Sequence, residues 1–516
     1  MEELKQFIET HVKVLEPLYK KLCLAMWEAE TTGKKEAYEE YEKLEVEIKK
    51  LYSSKEHYGF LKSIDADNIK DPLLKRQLVI LIDTYKGNQL PHKLIEEITA
   101  IETRISQAFS IFRGKVDGKE VSMNQIKEVL QKSKDSEERK KYWEAQKSIG
   151  KEVEKDLKEL VSLRNKAASS LGYKNYYAMS LDLSEIKEEW LIGLFDDLDD
   201  MTQEPFAKAK VEIDSALKKR YKVKDIMPWH YEDAFFQECP NIFKVNFNKV
   251  FEGCNVEKTS REYYRKVGLK VDAMLDKSDL YERKGKNQHA FCLDLDKSGD
   301  TRILANLKDD AENMSTILHE CGHAAYDHYT DFSLPFILRG PTHIFTTEAV
   351  AMLFGRLPHN GNWIKEAVGK DGLNESGEKQ LKFLQLVLSR WIQVMVRFER
   401  EMYSSPDQDL NRLWWDLVEK YQEVRMPEGR NMPDYASKNH ICTSPVYYHN
   451  YQLGELFASQ LQHCIGKGKL EKGSMEVGKF LGEKVFKPAA TIKWDELVKN
   501  STGEELSPKY FAKEFV

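Results

Sequence analysis

The densest chemistry in the sequence is the run His319-Glu320-Cys321-Gly322-His323. Its flanks, Met314, Ile317, Leu318, Ala324 and Ala325, predict an α-helix. On a helix, residues four apart share a face, so both imidazoles can reach one ion. Glu320 stands beside them, placed to take a proton from an attacking water. Zinc suits such a pair, because it accepts imidazole nitrogen, keeps a position for water and lowers that water's pKa to about 7. An HExxH run arises by chance in about three sequences in a hundred of this length and composition, so a third ligand is needed to carry the assignment. Glu348 supplies it, 25 residues beyond His323 in the helical stretch Phe345-Thr346-Thr347-Glu348-Ala349-Val350-Ala351. The bland alternative for Glu348 is an ordinary surface glutamate. A His, His, Glu set with an open fourth position is that of a catalytic zinc site.

Related patterns fall away on inspection. A metzincin needs Gly at 326 and His at 329, and both are tyrosine. His328, five residues from His323, falls on another part of the helix and is expected to support the site or lie on the surface. The run from Gly473 to Gly478-Lys479 resembles a phosphate loop until Phe480 replaces its hydroxyl residue. No glycine-rich dinucleotide fingerprint stands out. Two constellations remain. Lys438-Asn439-His440, followed by Pro445, Tyr447, Tyr448, His449 and Tyr451, is either packed aromatic surface or a source of donors to the oxyanion of a tetrahedral intermediate. Gln288-His289-Ala290-Phe291-Cys292 opens a strand that could pair with an extended peptide through its backbone.

The elements that must position these groups are nearly all helical. Tyr38, Tyr41, Leu44, Ile48 and Leu51 recur at three or four residues, with Glu and Lys between, and the same period runs through 95–112, 186–201, 378–400 and 409–422. Turn signals separate the runs, among them Thr32-Gly33, Lys86-Gly87-Asn88, Asp117-Gly118-Lys119 and Asn360-Gly361-Asn362. One region reads as β: Ala290 to Leu295 and Thr301 to Leu307, joined through Asp296-Lys297-Ser298-Gly299-Asp300. The expectation is one unit over 1–516, mainly α with a small β element, with approximate halves at 1–250 (a helical half or lid) and 251–516 (the zinc-bearing half).

Composition removes several classes of function. The 516 residues are 41% apolar and 11% aromatic, enough for a large core and against global disorder. The 79 basic and 85 acidic side chains leave a net charge of −6, which argues against a nucleic-acid footprint. Apolar runs such as Leu78 to Ile82 fall far short of the roughly 18 residues that span a bilayer, and the start, Met1-Glu2-Glu3-Leu4-Lys5-Gln6, has no signal-peptide pattern. Seven scattered cysteines without a CxxC pair suit free thiols in a reducing compartment, so a cytoplasmic protein with no membrane partner is expected.

These residues together resemble the angiotensin-converting-enzyme (peptidyl-dipeptidase A) family of gluzincin metallopeptidases, in a bacterial-type form. Trp27-Glu28-Ala29-Glu30-Thr31-Thr32, and Leu163-Arg164-Asn165-Lys166-Ala167-Ala168 with Gly172-Tyr173, are similar to stretches of that family's early helices, and His289-Ala290 stands 30 residues before His319, as its substrate-strand pair does. The resemblance implies an elongated helical fold with a deep central groove and a small antiparallel β element near the zinc. It implies one Zn2+ per chain on His319, His323 and Glu348, with Glu320 as general base and then proton shuttle. His440 and Tyr451 would stabilise the oxyanion, His289 and Ala290 would line the substrate strand, and Lys438, Tyr448 and Gln237 would grip a substrate's C-terminal carboxylate. Oligopeptides are the implied substrates, with C-terminal dipeptides released. There are departures. His440 and Tyr451 are one residue further apart than in that family, position 352 is Met where an acid is expected, and Asn450 replaces the basic residue that goes with chloride activation. The Tyr-Tyr-His-Asn-Tyr run and the His323–Glu348 spacing also resemble the thimet oligopeptidase and oligoendopeptidase F family, which implies endo-acting cleavage instead. A catalytically silent peptide-binding protein would show a broken motif, and a helical scaffold with a chance HExxH would bind no stoichiometric zinc.

Overall fold

Residues 1–371 and 375–515 are described by a computed structural model. Helices dominate, as the periodicity predicts: Glu2–Thr32, Lys35–Tyr52, His92–Ile111, Ile149–Ser170, Glu188–Tyr221, Glu375–Ser404 and Leu410–Gln422 are the longer ones. Two two-stranded antiparallel sheets complete the fold. Phe291–Asp294 pairs with Thr301–Leu304, Phe291 opposite Leu304 and Asp294 opposite Thr301, which is the expected hairpin with shorter strands. The second sheet, Gly114–Val116 with Lys119–Val121, corrects the reading of Asp117-Gly118 as a mere separator. Both residues have positive φ, 50° and 79°, the conformation of a two-residue hairpin turn that Asp-Gly favours.

The chain forms two compact units that interleave along the sequence and do not divide near 250. The first comprises Met1–Gln89, Asn246–Glu378 and Leu453–Phe511. Here Gly33, at φ 67°, ends the first helix, and its N–H donates to Ala29 O. A Cβ at Gly33 would lie 2.3 Å from Gly285 O, so the turn into the second helix needs glycine. Leu4, Ile8, Leu61, Leu74, Leu78 and Tyr85 make one core cluster of this unit.

The second unit comprises Leu90–Val245, Lys379–Gln452 and the residues from Ala512. Polar residues that interrupt the apolar run of 378–400 are its interlocks. Buried Arg390 pairs with Asp199 and donates to Thr202 Oγ1 at 3.1 Å, Gln393 donates to Phe195 O at 2.7 Å, and Arg397 to Asp196 at 2.6 Å. All four acceptors sit on Glu188–Tyr221, so the two long helices are keyed together by groups that a purely apolar stripe would lack. No helix among the described residues is long and apolar enough to cross a membrane. All seven cysteines are unpaired.

Candidate active site

The HExxH run lies on the helix Ala311–His328, started by Asp310, whose carboxylate accepts the Asn313 N–H at 2.8 Å. Met314, Ile317, Leu318, Cys321, Ala324 and Ala325 are fully buried and fix the helix rotation, and Tyr264 donates to Leu318 O at 2.6 Å. Glu348 lies on Ile344–Gly355, a helix buried almost all round. The two helices cross at Gly322, where a Cβ would come within 2.7 Å of Ala351 Cα. That backbone contact is what lets a carboxylate on one helix reach imidazoles on the other.

The three ligand groups converge. Glu348 Oε2 is 3.7 Å from His319 Nε2 and 3.8 Å from His323 Nε2. Ligand pairs around a tetrahedral ion with bonds of about 2.0–2.1 Å are about 3.4 Å apart, so a few tenths of an ångström close the cage. Among the described residues this is the only group of three or more His, Cys, Asp or Glu side chains arranged to hold an ion. The charge state fits as well. Burial pushes His319 down to about 4 and His323 to about 3, which leaves both imidazoles neutral, the ligand form. Glu348 is pushed up to about 7 by burial and then by Glu455, and Glu320 to about 8 by burial and then by Glu348. Two desolvated carboxylates facing neutral imidazoles are what a divalent cation would compensate.

Positions around the cage that the sequence did not reveal are Thr347, Glu455 and the backbone of Cys292. Thr347 Oγ1 is 2.7 Å from His323 Nδ1. Glu455 pairs with Arg356, which also donates to Ser459 Oγ at 3.0 Å. The backbone N–H of Cys292 draws the Glu320 carboxylate back down against burial, which puts the base beside the β-hairpin. The edge of strand Phe291–Asp294 is less open than expected: Asp294 O accepts the Tyr19 hydroxyl at 3.1 Å, and the Cys292 N–H acts on Glu320. Continuing the alternation, Ala290 is the next residue facing outward. His289 beside it is exposed, with its N–H on Asn287 Oδ1 at 2.9 Å. His328 packs edge-on against Tyr329 and is not part of the ligand group.

The remaining expected residues gather within the second unit. Lys438 Nζ donates to Gln237 Oε1 at 2.6 Å and sits 5.2, 5.3 and 5.7 Å from the ring centres of Phe235, Trp391 and Tyr448. Tyr448 packs against His440 at 5.1 Å and Tyr451 at 5.4 Å between ring centres. Gln237 is presented by a tight loop in which Glu232 and Phe236 take positive φ, 71° and 51°. Asp233 holds that loop, accepting the N–H groups of Phe235 at 2.7 Å and Glu238 at 3.1 Å. A third strained residue, Val446 at φ 55°, sits two before Tyr448, its N–H held by the buried Glu399 carboxylate at 2.7 Å. Burial lowers Lys438 to about 8 and His440 to about 4, the latter helped by Lys438.

Residues 129–516 match the profile of peptidase family M3, and residues 1–209 match that of angiotensin-converting enzyme. No curated protein matches the chain. The M3 match covers most of the sequence and includes the HExxH helix, Glu348 and the Lys438–Tyr451 segment, whereas Trp27–Thr32 lies in the other match alone and Leu163–Ala168 in both. The chain belongs to peptidase family M3 and is a zinc metallopeptidase that acts on peptides.

Proposed function

We propose that the protein is a peptidyl-dipeptidase, releasing C-terminal dipeptides from oligopeptides in a reducing, cytoplasmic setting. His319, His323 and Glu348 would hold the zinc. When bound, zinc polarises the scissile carbonyl and lowers the pKa of water to about 7. Glu320, beside the Cys292 backbone, accepts the attacking water's proton and passes it to the leaving amine. His440 and Tyr451 donate to the oxyanion. The outward backbone of Ala290, with His289 beside it, aligns the peptide as an added strand.

The observation that carries the dipeptidase reading is Lys438. It is a buried cation whose hydrogen-bond partner is the neutral Gln237 amide, enclosed by aromatic rings and with no ion pair among the described residues. Asp233 and Glu238 act on it without reaching ion-pair distance, so the buried amine still calls for a direct counter-ion, and the terminal carboxylate of a peptide, with Tyr448 and Gln237 alongside, supplies one. A second reading, endo-acting oligopeptidase, is favoured by the M3 match, which contains Lys438, Tyr448 and Gln237, whereas the match to angiotensin-converting enzyme ends at 209. One N-blocked oligopeptide, offered as free acid and as C-terminal amide, separates the two by mass spectrometry of the products. Dipeptides released from the free acid alone support the first reading, and internal cuts in both forms establish the second.

A further inference from the structure

We infer that Thr347 is the positioning residue of the metal ligand His323, its hydroxyl standing where a carboxylate or carbonyl ordinarily holds a ligating imidazole. The inference rests on the proposed His319–His323–Glu348 centre and adds a residue to it. Thr347 is 6% exposed, and its Oγ1 lies 2.7 Å from His323 Nδ1. The other ring nitrogen, Nε2, faces Glu348 Oε2 at 3.8 Å. A metal at Nε2 requires the lone pair there, so the ring proton sits on Nδ1 and is donated to the Thr347 oxygen. Thr347 and Glu348 are neighbours on one helix and therefore approach the imidazole from two sides, one as acceptor for Nδ1–H and one as fellow ligand. Among the described residues no carboxylate bonds to His323 Nδ1. Position 352, where an acid was expected, is a methionine whose sulfur packs near Gly454, at 3.1 Å from where a Cβ would stand there. The hydroxyl thus does the orienting, and the same helix fixes both the ligand Glu348 and the tautomer of its partner.

The test is zinc affinity, measured by chelator competition on apo-protein, with the melting temperature of each apo-variant recorded beside it. Thr347→Val keeps the shape and removes the acceptor, and should weaken zinc binding about 10–100-fold. Thr347→Ser keeps the acceptor and should stay within about threefold of wild type. A valine variant that binds zinc as tightly as wild type overturns the inference. So does a serine variant that loses as much as valine, because packing of the methyl group would then be the cause. If the valine variant does not fold, Thr347→Ala carries the same expectation, and wild-type affinity in it overturns the inference equally. His323→Ala is the reference for the centre itself: wild-type protein that takes up no zinc beyond this variant contradicts the ligand set, and Thr347's role with it.

Discussion

The cage of the first unit and the cluster of the second are opposites in charge. In the cage, burial raises two carboxylates, Glu348 to about 7 and Glu320 to about 8, and the imidazoles beside them are neutral. In the cluster, burial lowers amines, Lys438 to about 8 and Lys147 to about 7, with Phe235 between them, its ring centre 3.4 Å from Lys147 Nζ. The same desolvation acts in both places and moves acids and bases in opposite directions. Among the described residues no Lys or Arg pairs with the two carboxylates of the cage, whereas the acids Asp233, Glu238 and Asp434 act on the amines of the cluster without forming an ion pair with either. The lesson is that buried charge points to what each region would receive: a divalent cation in the cage and, on the proposed dipeptidase reading, an anionic peptide end beside Lys438.

The comparison can be broken at either end. Tyr451→Phe removes one proposed oxyanion donor and should lower kcat by roughly 10²–10³-fold with little change in KM; a change confined to KM in steady-state kinetics removes Tyr451 from that role. Lys438→Met should reduce kcat/KM about 10–100-fold for a free-acid peptide, the worth of a charge-assisted hydrogen bond, and leave the matching amide untouched. Equal losses on both substrates would show that the cluster does not read a carboxylate. Gly322→Ala forces a Cβ toward the Ala351 backbone at 2.7 Å, and denaturant unfolding should show a loss of about 1–3 kcal/mol.

The smallest effect concerns Lys147, whose charge-bearing neighbours are Asp434, Arg430, Asp233 and Lys438. Its amine is lowered from 10.5 to about 7 by burial, so between those values the unfolded chain holds the extra proton and stability rises with pH. The penalty is complete below the folded value and gone above the unfolded one. Lys147→Met should therefore gain a few degrees of Tm over wild type near pH 7, and less at about pH 10. A pH-independent difference in thermal melts would place the burial cost elsewhere.

The parts of the site that rest on spacing within one element were legible in the sequence. The four-residue separation of His319 and His323 needs only a helix, and Glu348 needs only a second one. The hairpin announced itself through its turn, and so did the second sheet, whose Asp117-Gly118 signal was there to be used. What stayed hidden depends on contacts between distant segments or on backbone atoms. Thr347 looks like any helical threonine until the Gly322 crossing brings His323 to it. The Cys292 amide that acts on Glu320 has no side-chain signature at all. Lys147, 291 residues before Lys438 in the chain, shows its significance only once Phe235 lies between the two amines. The interleaving of the two units is likewise a property of long-range packing, which periodicity along a helix does not encode.

Zinc content and turnover of Glu320→Gln, measured on the same preparation, test the central assignment most directly. Glu320 is the base of the proposed reaction and not a ligand, so the variant should retain one zinc per chain while kcat falls about 10²–10⁴-fold. Turnover at the wild-type rate, or loss of the metal with the carboxylate, would contradict the account.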